Sequence, residues 1–147
     1  MQIKNKKILV IICVLTLLVF NLNLHADEFN ISATEVLVDK ANDIVTGKGS
    51  VEAIDSEGKR IKADKITYKR QKQLLQAEGS VKIFDTKGNI LISNKATYDK
   101  AKEIIYAYEI SELTTKEGYK LTSKKIFYNK NTKIISSDQN STLTDMD

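Results

Sequence analysis

Proline and tryptophan are absent from the 147 residues, and cysteine and histidine occur once each. Without proline, no residue in the chain is barred from donating to a β-ladder. Cys13 and His25 both fall within the first 26 residues. If that stretch is removed, thiol nucleophiles and histidine relays go with it. So does a zinc site of the usual nitrogen and sulfur type. The remaining domain would have no disulfide and would be held by packing and strand pairing alone. The nearest acidic pairs are Asp55/Glu57 and Glu109/Glu112. They read as solvated turn and face residues, because carboxylates are mostly exposed unless paired. Asp55-Ser56-Glu57-Gly58 lacks the further ligands and closing Glu of a calcium loop. No glycine is followed by the Lys-Ser/Thr of a phosphate-cradling loop. No catalytic residue, metal or cofactor is expected.

The beginning of the chain has the order of a secretory signal: a positive start, an apolar run and a small residue for cleavage. These are Lys4, Lys6 and Lys7, then Ile8 to Phe20, then Leu24-His25-Ala26. A helix over the apolar run would rise roughly 20 Å, short of the hydrocarbon core of about 30 Å. Residues 1–26 are therefore expected to be a signal peptide and 27–147 the domain, with an uncleaved anchor as the alternative. Three of the 23 Lys and Arg lie in this leader and none of the 19 Asp and Glu, so the domain itself carries a charge of about +1. Such a balance gives no electrostatic footprint for nucleic acid.

What the sequence does have is a repeat of thirty residues without gaps. Gly58, Gly88 and Gly118 are spaced by it, as are Tyr68, Tyr98 and Tyr128, and Ile31, Ile61, Leu91 and Leu121. Four repeats follow, at about 29–58, 59–88, 89–118 and 119–147. Each has two arms. The second alternates with period two, as in Leu75/Ala77/Gly79/Val81/Ile83, the pattern of a strand with one buried face. The first, as in Ile61/Ala63/Ile66/Tyr68, changes parity midway, so a bulge or corner is expected there. Asp55 to Gly58 and its copies suit hairpins with a positive-φ glycine. Polar turns Asp39–Asp43, Lys69–Gln73, Asp99–Glu103 and Asn129–Lys133 join the other ends. The expected fold is all-β: eight antiparallel strands in a meander, bent into a two-sheet roll. A parallel β-solenoid is the alternative, and a helix over Ala101 to Tyr108 is rejected because its counterparts alternate. The Tyr column reads as an aromatic ladder between repeats, compatible with contact to a ligand at a cavity mouth.

Ala63-Asp64-Lys65-Ile66-Thr67-Tyr68 followed by Leu75-Gln76-Ala77-Glu78-Gly79-Ser80-Val81-Lys82-Ile83 resembles the repeating pattern of the OstA-like (LptA-type) domain. The resemblance departs where Ser80 stands for the family's Asn, Glu109 and Gln139 for its Gly, and Val38 for the first Tyr. It implies an antiparallel β-jellyroll in the periplasm that binds lipopolysaccharide and passes it towards the outer membrane. It would do so as a free bridge, an anchored member, or the front domain of an outer-membrane translocon. The lipid A acyl chains would lie against inward side chains. These are Val36, Ile61, Ile66, Tyr68, Leu75, Val81, Ile83, Leu91, Tyr98, Ile105, Leu113, Leu121, Ile126 and Tyr128. Partners would be other such jellyrolls, including copies of itself, joined by edge strands. The rivals are an exported structural or adhesive repeat protein with a dry core, and an envelope enzyme using carboxylates.

Overall fold

The structure, a computed structural model, describes residues 29–137 and 140–145. The expected leader, with Cys13 and His25, lies outside the described residues, as does Gln139. Ten strands form one antiparallel sheet. They are β1 (Phe29–Ser32), β2 (Glu35–Asp39), β3 (Ile44–Asp55), β4 (Arg60–Lys69), β5 (Leu74–Phe84), β6 (Ile90–Asp99), β7 (Ile104–Thr114), β8 (Tyr119–Asn129), β9 (Ile134–Ser137) and β10 (Thr142–Asp145). A single 3-10 turn, Arg70–Lys72, interrupts them among the described residues. The eight expected arms are all present. The count is ten because the first arm is divided into β1 and β2, both on β3, and the last into β9 and β10, both on β8.

The turns show why the thirty-residue columns exist. Asp55 accepts the Glu57 and Lys59 backbone N–H groups on Oδ1 at 3.0 and 2.9 Å. Asp85 does the same for Lys87 and Asn89, both at 2.8 Å. Gly58 then takes a φ of +86°, a left-handed conformation open to glycine without steric cost. At the opposite ends the polar turns stack. Arg70, Lys100 and Lys130 donate their backbone N–H groups to the carbonyls of Asp43, Gln73 and Glu103, one repeat back, at 3.1, 2.9 and 3.0 Å.

The irregularity expected in the first arm is shared between both arms. Gly49-Ser50, Gly79-Ser80 and Glu109-Ile110 of the second arms each oppose a single residue, Asp64, Asn94 or Lys124, of the next first arm. The parity break between buried Ala63 and buried Ile66 is there too. The extra residue on one strand restores the register that the parity break on the other would lose. Gly79 has φ +76°, and a Cβ there would run into the Asp64 carboxylate. Asp64 instead accepts from Ser80 Oγ at 3.2 Å.

At this column of bulges every long strand bends, and the sheet folds onto itself. The Phe29 ring lies 4.9 Å from Tyr68 and 6.1 Å from Tyr98. Phe29 pairs with Asp55 at one end of β3, whereas Tyr68 pairs with Val45 at the other. In a flat sheet they would be separated by the ten residue steps of β3 from Val45 to Asp55, roughly 33 Å. The two expected layers are thus the two halves of one bent sheet. Their inner faces meet in a core containing Val51, Ile61, Ile66, Leu75, Ala77, Val81 and Ile126. Burying each large aliphatic side chain stabilises by about 1.5–3 kcal/mol.

Candidate functional site

Among the described residues, two clefts on the inner side of the folded sheet bear on function. The first lies at the β1/β2 edge, has about 300 Å³, and is lined by Phe29, Asn30, Ile31, Val36, Val38, Val45, Tyr68 and Arg70. The second has about 250 Å³. Its floor is Ile83, Leu91, Ile105, Leu113, Tyr128 and Ile135, and its rim is Lys59, Asp85, Lys87, Asn89, Thr115, Glu117 and Lys133. It opens where the glycine turns 85–88 and 115–118 stand away from the polar turn 129–133. An apolar cavity of about 150 Å³ is enough to take up benzene, so each cleft has room for a short stretch of alkyl chain.

The fourteen residues expected to meet a ligand divide three ways. Val36 and Tyr68 line the first cleft, and Ile83, Leu91, Ile105, Leu113 and Tyr128 the second. Ile61, Ile66, Leu75, Val81, Tyr98 and Ile126 sit in the closed core, none more than 2 % exposed. Leu121 is partly buried and packs on that core. In the cleft walls, the expected set lacked Phe29, Ile31, Val38, Val45 and Ile135, although the repeat columns contain the last four. The polar rim had no legible signal.

The two clefts share no lining residue, and one cluster touches a wall of each. Tyr98 is at its centre, 1 % exposed. Its ring meets Phe29, a wall of the first cleft, and its hydroxyl meets Lys59 Nζ, a wall of the second, at 2.7 Å. The same hydroxyl donates to Glu103 Oε2 at 2.6 Å. Lys59 also lies 3.6 Å from Asp55 Oδ2. The sequence reading of Asp55 as a solvated turn acid is therefore corrected: Asp55 and Lys59 are both buried, at 5 %. Asp55 is held there by the turn N–H groups that it caps, and Lys59 by its two oxygen partners.

Around this centre the two rows of turns touch. Glu57, on the glycine turn after β3, takes Lys100 at 3.2 Å and also Lys130. Both lysines reach Glu103 as well, at 2.9 and 3.3 Å. The electrostatics follow from this crowding. Burial works against an ionised Glu103, but hydrogen bonds from Tyr98, Lys100 and Lys130 outweigh it and hold its pKa at about 2. The Glu57 carboxyl is lowered by Lys130 first and Lys100 second. Burial lowers Lys59 against the pull of Asp55. Burial raises Tyr98, and its bond to Glu103 raises it further, so its phenol stays protonated and donating. Among the described residues no group of three or more His, Cys, Asp or Glu could hold a metal ion.

No family model and no curated protein matches the chain. Among solved structures it is similar to LptH, the LptA-homologous periplasmic component of the conserved lipopolysaccharide transport device of Pseudomonas aeruginosa. The two share a TM-score of 0.72 at 10 % identity, over 79 % of this chain and 93 % of that one. The open, bent, ten-stranded antiparallel sheet described here is accordingly the fold of an LptA-type β-jellyroll.

Proposed function

We propose that the protein carries lipopolysaccharide across the periplasm towards the outer membrane, taking lipid A acyl chains into its two apolar clefts. The observation that carries this reading is the pairing of those clefts with the fold shared with LptH. Burial of each methylene would contribute about 0.8 kcal/mol without directional bonds, which suits a cargo that must be released again. The sheet ends in two edges that pair only inwards among the described residues: β1 and β2 on β3, and β9 and β10 on β8. Val36, Leu37 and Val38 are exposed on one edge, and Ile134, Ile135 and Leu143 on the other. Such edges accept strands from a second copy or a related jellyroll. In this reading the protein binds and hands on, and it catalyses nothing. Residence is periplasmic, at the outer membrane if the domain fronts a translocon.

The test is mass spectrometry of the protein under native conditions, with lipid A supplied. A bound lipid is expected, and Ile83→Asp with Leu113→Asp, both in the floor of the second cleft, should abolish it. Binding unchanged in that double variant refutes the cleft as the lipid site. A dry-cored structural repeat protein is the second reading, favoured by the closed packing around Ile61, Ile66 and Tyr98. It predicts no bound lipid in either form.

A further inference from the structure

We propose that Tyr98 is a gate between the two clefts, and that the ion pairs from Glu57 to Lys100 and Lys130 are the clasp that keeps it shut. This rests on the lipid-carrier reading and adds a moving part to it. Three observations carry it. First, Tyr98 lies between wall residues of the two clefts: it touches Phe29 of the first and Lys59 of the second. Second, the long strands are joined to their neighbours by ladders, whereas the two rows of turns, which meet at a seam, are not. There the contact is made by side chains, Glu57 reaching Lys100 and Lys130. The seam is already parted farther along, at the second cleft, where rim residues come from both rows. Parting it at Glu57 extends the same opening to Tyr98 without breaking a ladder hydrogen bond.

Third, the repeat does not require this cluster. The thirty-residue counterparts of Lys59 are Phe29, Asn89 and Tyr119, and those of Glu103 are Asp43, Gln73 and Lys133. The Tyr column recurs, but the Lys and Glu that hold its hydroxyl occur together only at Tyr98. A polar lock placed in an apolar interior is costly to keep unless fully bonded. Here the bond from Lys59 to Tyr98 is made only while the seam is closed. With the clasp shut, an alkyl chain entering the second cleft stops at Tyr98. With the clasp open, it can run on towards Phe29 and the first cleft.

The experiment is a chain-length series. Binding of saturated alkyl phosphates of increasing length is measured by calorimetry on three forms of the protein. One is the wild type. One carries Glu57→Cys and Lys130→Cys joined by a short thiol-to-thiol reagent, with the clasp fixed shut. One carries Glu57→Lys, which sets like charges against Lys100 and Lys130; Glu57 is on an exposed turn, so the fold is kept. Affinity should rise about fourfold per methylene while chain is still being buried, then level off. The gate predicts levelling at a shorter chain in the joined form than in Glu57→Lys. Tyr98→Phe, which keeps the ring and loses the lock, should shift the limit the same way as Glu57→Lys. An identical limit in all forms overturns the gate and leaves lipid binding standing. Absence of binding at every length in every form overturns both.

Discussion

Single residues in this chain are set by backbone demands as much as by burial. Gly79 and Glu109 occupy the same place in successive repeats, with φ of +76° and +70°. The glycine meets that geometry freely, and the glutamate is strained by it. Gly79→Ala should therefore cost about 1–3 kcal/mol, since the new Cβ adds a collision with Asp64 to the strain. Glu109→Gly should raise stability by about 1 kcal/mol. Urea midpoints of the two variants check both signs, and a loss in each would show that the bulge is not governed by φ. Tyr98→Phe belongs with them. It removes one hydroxyl and leaves Lys59 and Glu103 each short of a partner, for a loss of about 2 kcal/mol in the same assay.

At the scale of elements, the arms, their turns and the burial of alternate residues could be read directly, because period-two patterning reports which face meets the core. The bulge could be inferred, but parity put it on the first arm alone. Parity marks a break in Ile61 to Tyr68, whereas the inserted residue sits on the neighbouring arm, at Gly79-Ser80. Its loss of glycine in the third repeat coincides with a change of chemistry beside it. Ser93 Oγ accepts from Ser111 Oγ at 3.2 Å and donates to the Tyr108 carbonyl at 2.7 Å, where the second repeat has Ala63 and Val81. The clasp was illegible because Glu57, Lys59 and Lys130 look like solvated turn residues until folding brings two distant turns together. The edges, by contrast, can be tested as they stand. Leu37 and Leu143 are 60 % and 67 % exposed on opposite edge arms. The proposed function expects the wild type to associate as its concentration rises, followed by sedimentation, and Leu37→Lys with Leu143→Lys to stop this, because inserted charge is how natural edges resist pairing. Association unchanged in that variant would remove edge pairing from the proposed function.

The described residues form a single open sheet folded onto itself, and the meeting of its two halves depends partly on charge. The backbone ladder supplies the framework, but across the seam the rows of turns are joined by Glu57 to Lys100 and Lys130 and by Lys59 to Tyr98, while Glu103 holds Tyr98 and both lysines from within the polar row. Glu103 falls from an unperturbed 4.5 to about 2 on folding, and Glu57 is lowered as well. A carboxyl lowered by folding stabilises fully above its unfolded pKa and loses that contribution as pH drops through its folded one. The contribution of Glu103 should therefore be complete well above pH 4.5 and be lost progressively down to about pH 2. Glu103→Gln cannot ionise, so its stability should lie below the wild type at neutral pH and converge with it over that acid window. Urea unfolding of both proteins at a series of pH values makes the comparison. If the gap between them stays constant from neutral pH to pH 2, Glu103 is not held as an ion by Tyr98, Lys100 and Lys130.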